Sequence, residues 1–179
     1  MTSDPRLARR IEGLLRDVPD FPKPGIVFKD ITPLLADADA FAATVSGLAE
    51  SARAAGGVDL VAGVEARGFL MAGALATELG CGLLPVRKAG KLPPPVKSVR
   101  YDLEYGSAEI EVPHDIAPGS RVLLVDDVLA TGGTLRAAAQ LLTEIGAEVV
   151  ALAVILELAD LHGRDVLADV APLDALLSV

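Results

Sequence analysis

The stretch Arg121–Thr134, RVLLVDDVLATGGT, limits the possible folds more than any other part of the chain. Val122, Leu123, Leu124 and Val125 form an apolar run just after the turn signal Pro118-Gly119. A short run of this kind reads as a strand covered on both faces, as in a parallel sheet between helices. It leads into two adjacent carboxylates, Asp126 and Asp127, and then into a loop of small residues ending at Thr134. Leu135, Ala138, Ala139, Leu141 and Leu142 follow at helical spacing. The stretch is therefore a strand–turn–helix unit with polar groups at the carboxyl end of the strand, where open α/β sheets bind ligands.

Each part of the turn has a chemical use. Gly132 and Gly133 carry no Cβ, so the backbone there can approach a ligand closely. Unpaired N–H groups at the following helix start, together with its dipole, favour a phosphate. Thr131 and Thr134 add hydroxyl donors. Asp126 and Asp127 can accept hydrogen bonds from sugar hydroxyls or hold the hydration shell of a Mg²⁺ ion. Consecutive residues of an extended strand point to opposite faces, so both serve one ribose only if the chain is already turning at Asp127. No Gly-Lys-Ser/Thr follows the glycines and no G-x-G-x-x-G occurs in the chain, so P-loop and dinucleotide fingerprints are absent. The pattern points to a phosphosugar site.

VLLVDDVLATGGT resembles the phosphoribosyl pyrophosphate signature of the type I phosphoribosyltransferases, and the wording VDDxLATGGT is most similar to the adenine-specific branch of that family. The resemblance implies that Asp126 and Asp127 face the ribose hydroxyls and that Ala130, Thr131, Gly132, Gly133 and Thr134 hold the 5′-phosphate. It also implies Mg²⁺ held through substrate and water near the two aspartates, with no direct protein cage.

Other stretches carry the same resemblance. Asp20–Pro33, DFPKPGIVFKDITP, holds three prolines, Pro22, Pro24 and Pro33, and a glycine, which makes it neither helix nor central strand. A stiff loop with an aromatic tip is a good purine platform. FPKPGIVFKDITP resembles the hood of the adenine enzymes, which implies that Phe28 stacks on the base and that the backbone of Val27 and Lys29 reads its edge. Val128 is the expected opposite wall. Leu60–Val64 reads as a second buried strand, running into Glu65-Ala66-Arg67-Gly68 and a helix that ends at Gly80. Arg67 at that helix start clashes with the dipole unless an anion binds there. In the family this turn cradles pyrophosphate and often carries a non-proline cis peptide, here Glu65–Ala66. Leu83–Val86 reads as a third strand, with Pro85 hinting at an edge or a bulge. RKAGKLP (87–93) is a local basic cluster in an acidic chain, and its similarity to RKxGKLP implies that Lys88 and Lys91 hold pyrophosphate. Residues 101–105 and 108–112 alternate in polarity and form an expected hairpin separated by Gly106-Ser107. Residues 88–112 thus form a long excursion, expected to be a flexible β-lid. The similarity of its DLEYG to SLEYG implies Glu104 as the proton-transfer residue.

The flanks are plainer. Asp4-Pro5 opens a helix with Leu7, Ile11, Leu14 and Leu15 as its apolar stripe. Asp37 or Asp39 caps another that ends at Gly56-Gly57. Glu148–Leu156 is a continuous apolar strand, Leu161–Ala168 a short helix and Leu173–Val179 an edge strand. The expected architecture is one α/β domain over residues 1–179, of type I phosphoribosyltransferase fold: a central mostly parallel sheet flanked by helices, an N-terminal hood in 1–35 and the β-lid. A net charge of −9 argues against nucleic acid or an anionic membrane as partner. Cys81 is the single cysteine, which fits a reducing cytoplasm. No apolar run reaches the ~20 residues of a membrane span. The resemblance implies a homodimer, adenine and phosphoribosyl pyrophosphate as substrates, and AMP and pyrophosphate as products of purine salvage. Two alternatives stand beside it: a phosphoribosyltransferase for another base, against which the hood and the lid sequence argue, and a non-catalytic sensor of phosphoribosyl pyrophosphate, against which the acidic charge argues.

Overall fold

The computed structural model describes residues 4–103 and 106–179, with side chains detailed outside 102–107. In chain order the elements are α1 (Pro5–Leu14), β1 (Arg16–Pro19), β2 (Val27–Asp30), α2 (Thr32–Ala36), α3 (Ala38–Ala54), β3 (Leu60–Val64), α4 (Gly68–Leu79), β4 (Gly82–Lys88), β5 (Val96–Leu103), β6 (Gly106–Pro113), β7 (Arg121–Leu129), α5 (Gly133–Glu144), β8 (Glu148–Glu157), α6 (Gly163–Val166) and β9 (Leu173–Ser178). The main sheet has the order β5-β6-β4-β3-β7-β8-β9. β4, β3, β7, β8 and β9 run parallel, and the β5–β6 hairpin joins antiparallel at the β4 side. This is the mostly parallel α/β sheet expected from the repeated strand–turn–helix units.

Val122, Leu123, Leu124 and Val125 are each 0% exposed, which is why β7 sits inside the sheet. Burying each of these side chains contributes about 1.5–3 kcal/mol. One core lies on the side of α1, α3 and α4, and a second on the side of α5. Asp4 and Asp37 act as the caps of α1 and α3, accepting from the N–H of Arg6 at 2.9 Å and of Ala40 at 2.8 Å. α4 ends at Gly80 in the left-handed conformation. α4 approaches β3 closely, since a Cβ on Gly63 would lie 2.5 Å from that of Ala72.

Several local expectations change. The hood carries a strand pair: β1 and β2 form a separate antiparallel ribbon that pairs Val18 with Phe28. The Asp20–Pro33 stretch is still neither helix nor central strand until α2 begins at Thr32. β6 begins at Gly106, with Leu103 paired to Gly106, so Gly106 and Ser107 lie within a strand and do not separate two. Pro85 is paired on the β3 side opposite Gly63, while the ladder from β4 to β6 is confined to Arg87 and Lys88. Pro85 therefore lies on a stretch of β4 that behaves as an edge. The helix expected over Leu161–Ala168 is broken: a 3-10 turn covers Ala159–Leu161, His162 has φ 53°, and α6 follows. β9 is the sheet edge, as expected. Among the described residues no helix is long and apolar enough to cross a membrane.

Candidate active site

A cleft of ≈ 400 Å³ opens at the carboxyl ends of β3, β4 and β7. Its walls bring together Val27, Phe28, Lys29, Arg67, Lys88, Asp126, Asp127, Val128, Ala130 and Thr134. A smaller adjoining hollow is lined by Asp126 and by the backbone and side chains from Val128 to Leu135, which include Thr131, Gly132 and Gly133. Residues scattered over a hundred positions of sequence thus meet at one sheet edge.

The aspartates do not meet in the expected way. β7 continues through Leu129, so the chain is not turning at Asp127. Both still border one cleft because β3 pairs with β7 only as far as Val125, which leaves that edge open from Asp126 onward. Asp126 Oδ1 accepts from the N–H of Asp127 at 2.9 Å, and its carboxylate packs beside Gly68, where a Cβ would lie 3.1 Å from Oδ1. Burial first, then the charge of Asp127, pushes the Asp126 carboxyl well above its usual range. Burial also raises Asp127, while Arg67 opposes the shift. Arg67 Nε lies 2.8 Å from Asp127 Oδ2. The pair does not have hydrogen-bond geometry, so Oδ2 is a buried oxygen with no hydrogen-bond donor among the described residues. A sugar hydroxyl or a metal-bound water suits such an acceptor.

Arg67 also spans toward the hood. Its guanidinium carbon sits 4.7 Å from the centroid of the Phe28 ring. Phe21 meets Phe28 edge to face, with centroids 5.2 Å apart and planes at 84°. The hood loop is closed by Asp20 Oδ1, which accepts from the N–H of Gly25 at 2.7 Å. Lys29 Nζ is held by Asp17 at 2.7 Å. Asp30 accepts from the hydroxyl and N–H of Thr32 and from Arg16, and these bonds lower its carboxyl to about 2. The cleft's aromatic wall is thus mounted on a cross-braced ribbon.

The glycine loop is set from behind. Gly132, with φ 81°, caps α5 and its carbonyl accepts from the N–H of Arg136 at 2.9 Å. A Cβ on Gly132 would lie 2.6 Å from the carbonyl oxygen of Gly163, and one on Gly163 would lie 2.1 Å from that of Ala130. Arg164 holds Gly163 in place through two bonds to Glu157, at 2.9 and 2.6 Å. Tyr101 Oη lies 3.2 Å from Thr134 Oγ1, joining the hairpin to the loop.

Two groups of residues were not foreseen. Glu65 Oε2 accepts from the N–H of Lys88 at 3.0 Å and from Arg87 Nε at 3.4 Å, bracketing the Glu65–Ala66 turn against β4. The peptide Glu65–Ala66 is cis, as the resemblance implied. Glu111, expected on the polar face of the hairpin, is buried beneath the turn that follows Lys88. The sequence held one signal for it, a dense basic turn that needs a counter-charge. Lys91 does not line the cleft; its N–H donates to Glu111 Oε1 at 2.7 Å. Glu104 falls outside the described residues. Among the described residues no group of three or more His, Cys, Asp or Glu side chains could cage a metal.

Residues 34–170 match the family model described as a phosphoribosyl transferase domain. A protein of Frankia casuarinae named adenine phosphoribosyltransferase is 57% identical over 169 residues, covering 94% of this chain and 88% of its own. The chain belongs to the adenine phosphoribosyltransferase family. Among solved adenine phosphoribosyltransferases, that of Rhodothermus marinus has a TM-score of 0.93 at 42% identity, covering 98% of this chain and all of its own. That of Saccharomyces cerevisiae, solved with an imino-altritol bisphosphate and adenine, has a TM-score of 0.88 at 36% identity, covering 96% and 99%. The architecture accordingly is the type I phosphoribosyltransferase fold.

Proposed function

We propose that the cleft transfers the 5-phosphoribosyl group of phosphoribosyl pyrophosphate to adenine, giving AMP and pyrophosphate, as in purine salvage. One observation carries this reading: an aromatic hood, a carboxylate pair and a glycine loop at a helix start face one cleft and the hollow adjoining it at the carboxyl edge of a parallel sheet. The complex of the yeast relative with adenine supports the choice of base.

In this reading the N–H groups and hydroxyls of 130–134 bind the 5′-phosphate. Asp126 and Asp127 accept from the ribose hydroxyls, with Asp127 Oδ2, ion-paired to Arg67 but given no hydrogen bond by the described residues, as the readiest acceptor. Arg67, Lys88 and Lys91 hold the diphosphate. Phe28 and Val128 sandwich the base, and the backbone of Val27 and Lys29 reads its edge. The bond from C1′ to the diphosphate oxygen breaks with its electron pair leaving on pyrophosphate, while adenine N9 forms the new bond to C1′. The proton lost by adenine goes to Glu104. The acceptor chemistry of the aspartates fits a hydrated Mg²⁺ bound through substrate and water, and Mg²⁺ supplies neutralisation of the leaving group when bound. The β5–β6 hairpin with residues 88–95 serves as the lid over the cleft. The enzyme is a cytoplasmic homodimer in the same reading, the lone Cys81 being compatible with a reducing compartment.

The test is pyrophosphate release from phosphoribosyl pyrophosphate and Mg²⁺ with adenine, hypoxanthine, guanine, xanthine or orotate. Turnover is expected with adenine alone, and Glu104→Ala is expected to lower kcat by ~10²–10⁴. Turnover on another base overturns the hood assignment. No turnover on any base, with phosphoribosyl pyrophosphate still bound, overturns the enzymatic reading.

A further inference from the structure

We propose that Glu111 is a positioning residue for the diphosphate end of the cleft, fixing the backbone from which Lys88 and Lys91 reach. The inference rests on the assignment of those two lysines to pyrophosphate. Glu111 lies on β6 between Ile110 and Val112 and is 4% exposed. Its Oε1 accepts from the N–H groups of Lys91 at 2.7 Å and Leu92 at 2.6 Å, and its Oε2 from that of Gly90 at 3.0 Å. Three successive N–H groups converge on one carboxylate, which is the geometry of an anion nest filled by the protein's own side chain. A buried carboxylate is costly unless bonded in this way. Here the N–H groups and the nearby Arg87 outweigh burial and hold the carboxyl below its usual range.

The other end of the same segment is held as firmly. Glu65 takes the N–H of Lys88 and the side chain of Arg87, and Arg87 Nη1 donates to the carbonyl of Lys91 at 3.1 Å. Residues 87–92 are therefore pinned between a carboxylate at the cleft and a carboxylate beneath the turn. The lysine stems keep their freedom while the backbone they spring from is held in one local shape by these bonds, which is the arrangement that pre-organised charge stabilisation needs.

The sign of the effect separates this role from simple electrostatics. A carboxylate that merely sits near a diphosphate repels it, so neutralising it tightens binding. Glu111→Gln instead puts an amide donor among N–H donors and releases the turn. The measurement is forward and reverse kinetics of Glu111→Gln, Lys88→Ala and Lys91→Ala, with circular dichroism to check folding. Glu111→Gln is expected to raise KM for phosphoribosyl pyrophosphate and for pyrophosphate roughly tenfold, the scale of one charge-assisted hydrogen bond, and to leave KM for adenine and AMP unchanged. Lys91→Ala should cost less in the Glu111→Gln background than alone. If Glu111→Gln does not fold, Glu111→Asp keeps the charge, withdraws it by one methylene, and should show the same split at smaller size. Unchanged or lowered KM for pyrophosphate, or equal loss for all four substrates, overturns the positioning role. If Lys88→Ala and Lys91→Ala both leave KM for pyrophosphate unchanged, the lysine assignment fails, and the inference fails with it for that separate reason.

Discussion

Gly163 carries no side chain and sits behind the 130–134 loop, yet replacing it should cripple the enzyme. A Cβ added there would sit 2.1 Å from the carbonyl oxygen of Ala130, 2.9 Å from Leu129 Cδ1 and 3.0 Å from the carbonyl carbon of Ala130. Ordinary contact begins at 3.4 Å, so in Gly163→Ala the loop and the α6 start must part by about 1.3 Å. Neither side yields easily. Gly163 is held by the Arg164–Glu157 pair, and the loop is continuous with β7 and α5. Overpacking of this kind typically costs ~1–3 kcal/mol of stability. A displacement of about 1 Å in a binding group typically lowers rate by ~10²-fold. Steady-state kinetics with varied phosphoribosyl pyrophosphate, beside a thermal melt, would read both effects. The loss should fall on kcat/KM for phosphoribosyl pyrophosphate, with KM for adenine little changed. A Gly163→Ala enzyme with wild-type kcat/KM and melting temperature would refute the idea that α6 backs the phosphate loop.

Two further expectations follow from the carboxylates and the hood. Burial raises the folded-state carboxyl of Asp126 above its ordinary value near 3.8, so the charge destabilises the fold, increasingly as pH rises through that raised range. Asp126→Asn should therefore melt higher than wild type at neutral pH while losing activity. The advantage should shrink as pH falls toward 3.8, and a variant that melts lower at neutral pH would refute the burial argument. Phe28→Ala should raise KM for adenine by the ~1–3 kcal/mol that base stacking on an aromatic ring is worth, with KM for phosphoribosyl pyrophosphate much less affected. Equal effects on both would place Phe28 in the general packing of the hood.

Apolar runs and turn chemistry made the sheet legible. Leu60–Val64, the Val122–Val125 run and Glu148–Leu156 became strands because each run is covered by helices that the same sequence announces. β1 was hidden because Arg16–Pro19, RDVP, is short and mostly exposed, and exists through pairing with β2. The break at His162 was hidden because its cause is tertiary, the close seat of Gly163 against Ala130. In the site, residue types that announce chemistry were readable: adjacent acids, a glycine loop, an arginine at a helix start. Glu65 and Glu111 were not, because a carboxylate that caps backbone N–H groups looks in sequence like any other strand or turn acid. Alternation placed Glu111 outside, whereas the 88–92 turn folds over it.

Arg67 rests between the face of Phe28 and Asp127. If Arg67 holds the diphosphate as proposed, the incoming anion does not meet a bare cation; it competes for one already engaged. The free energy of binding at this residue is a difference between two partnerships, and dissolved salt weakens both terms. The affinity of the cleft for its anionic substrate should accordingly decline with ionic strength less steeply than a count of its cations suggests.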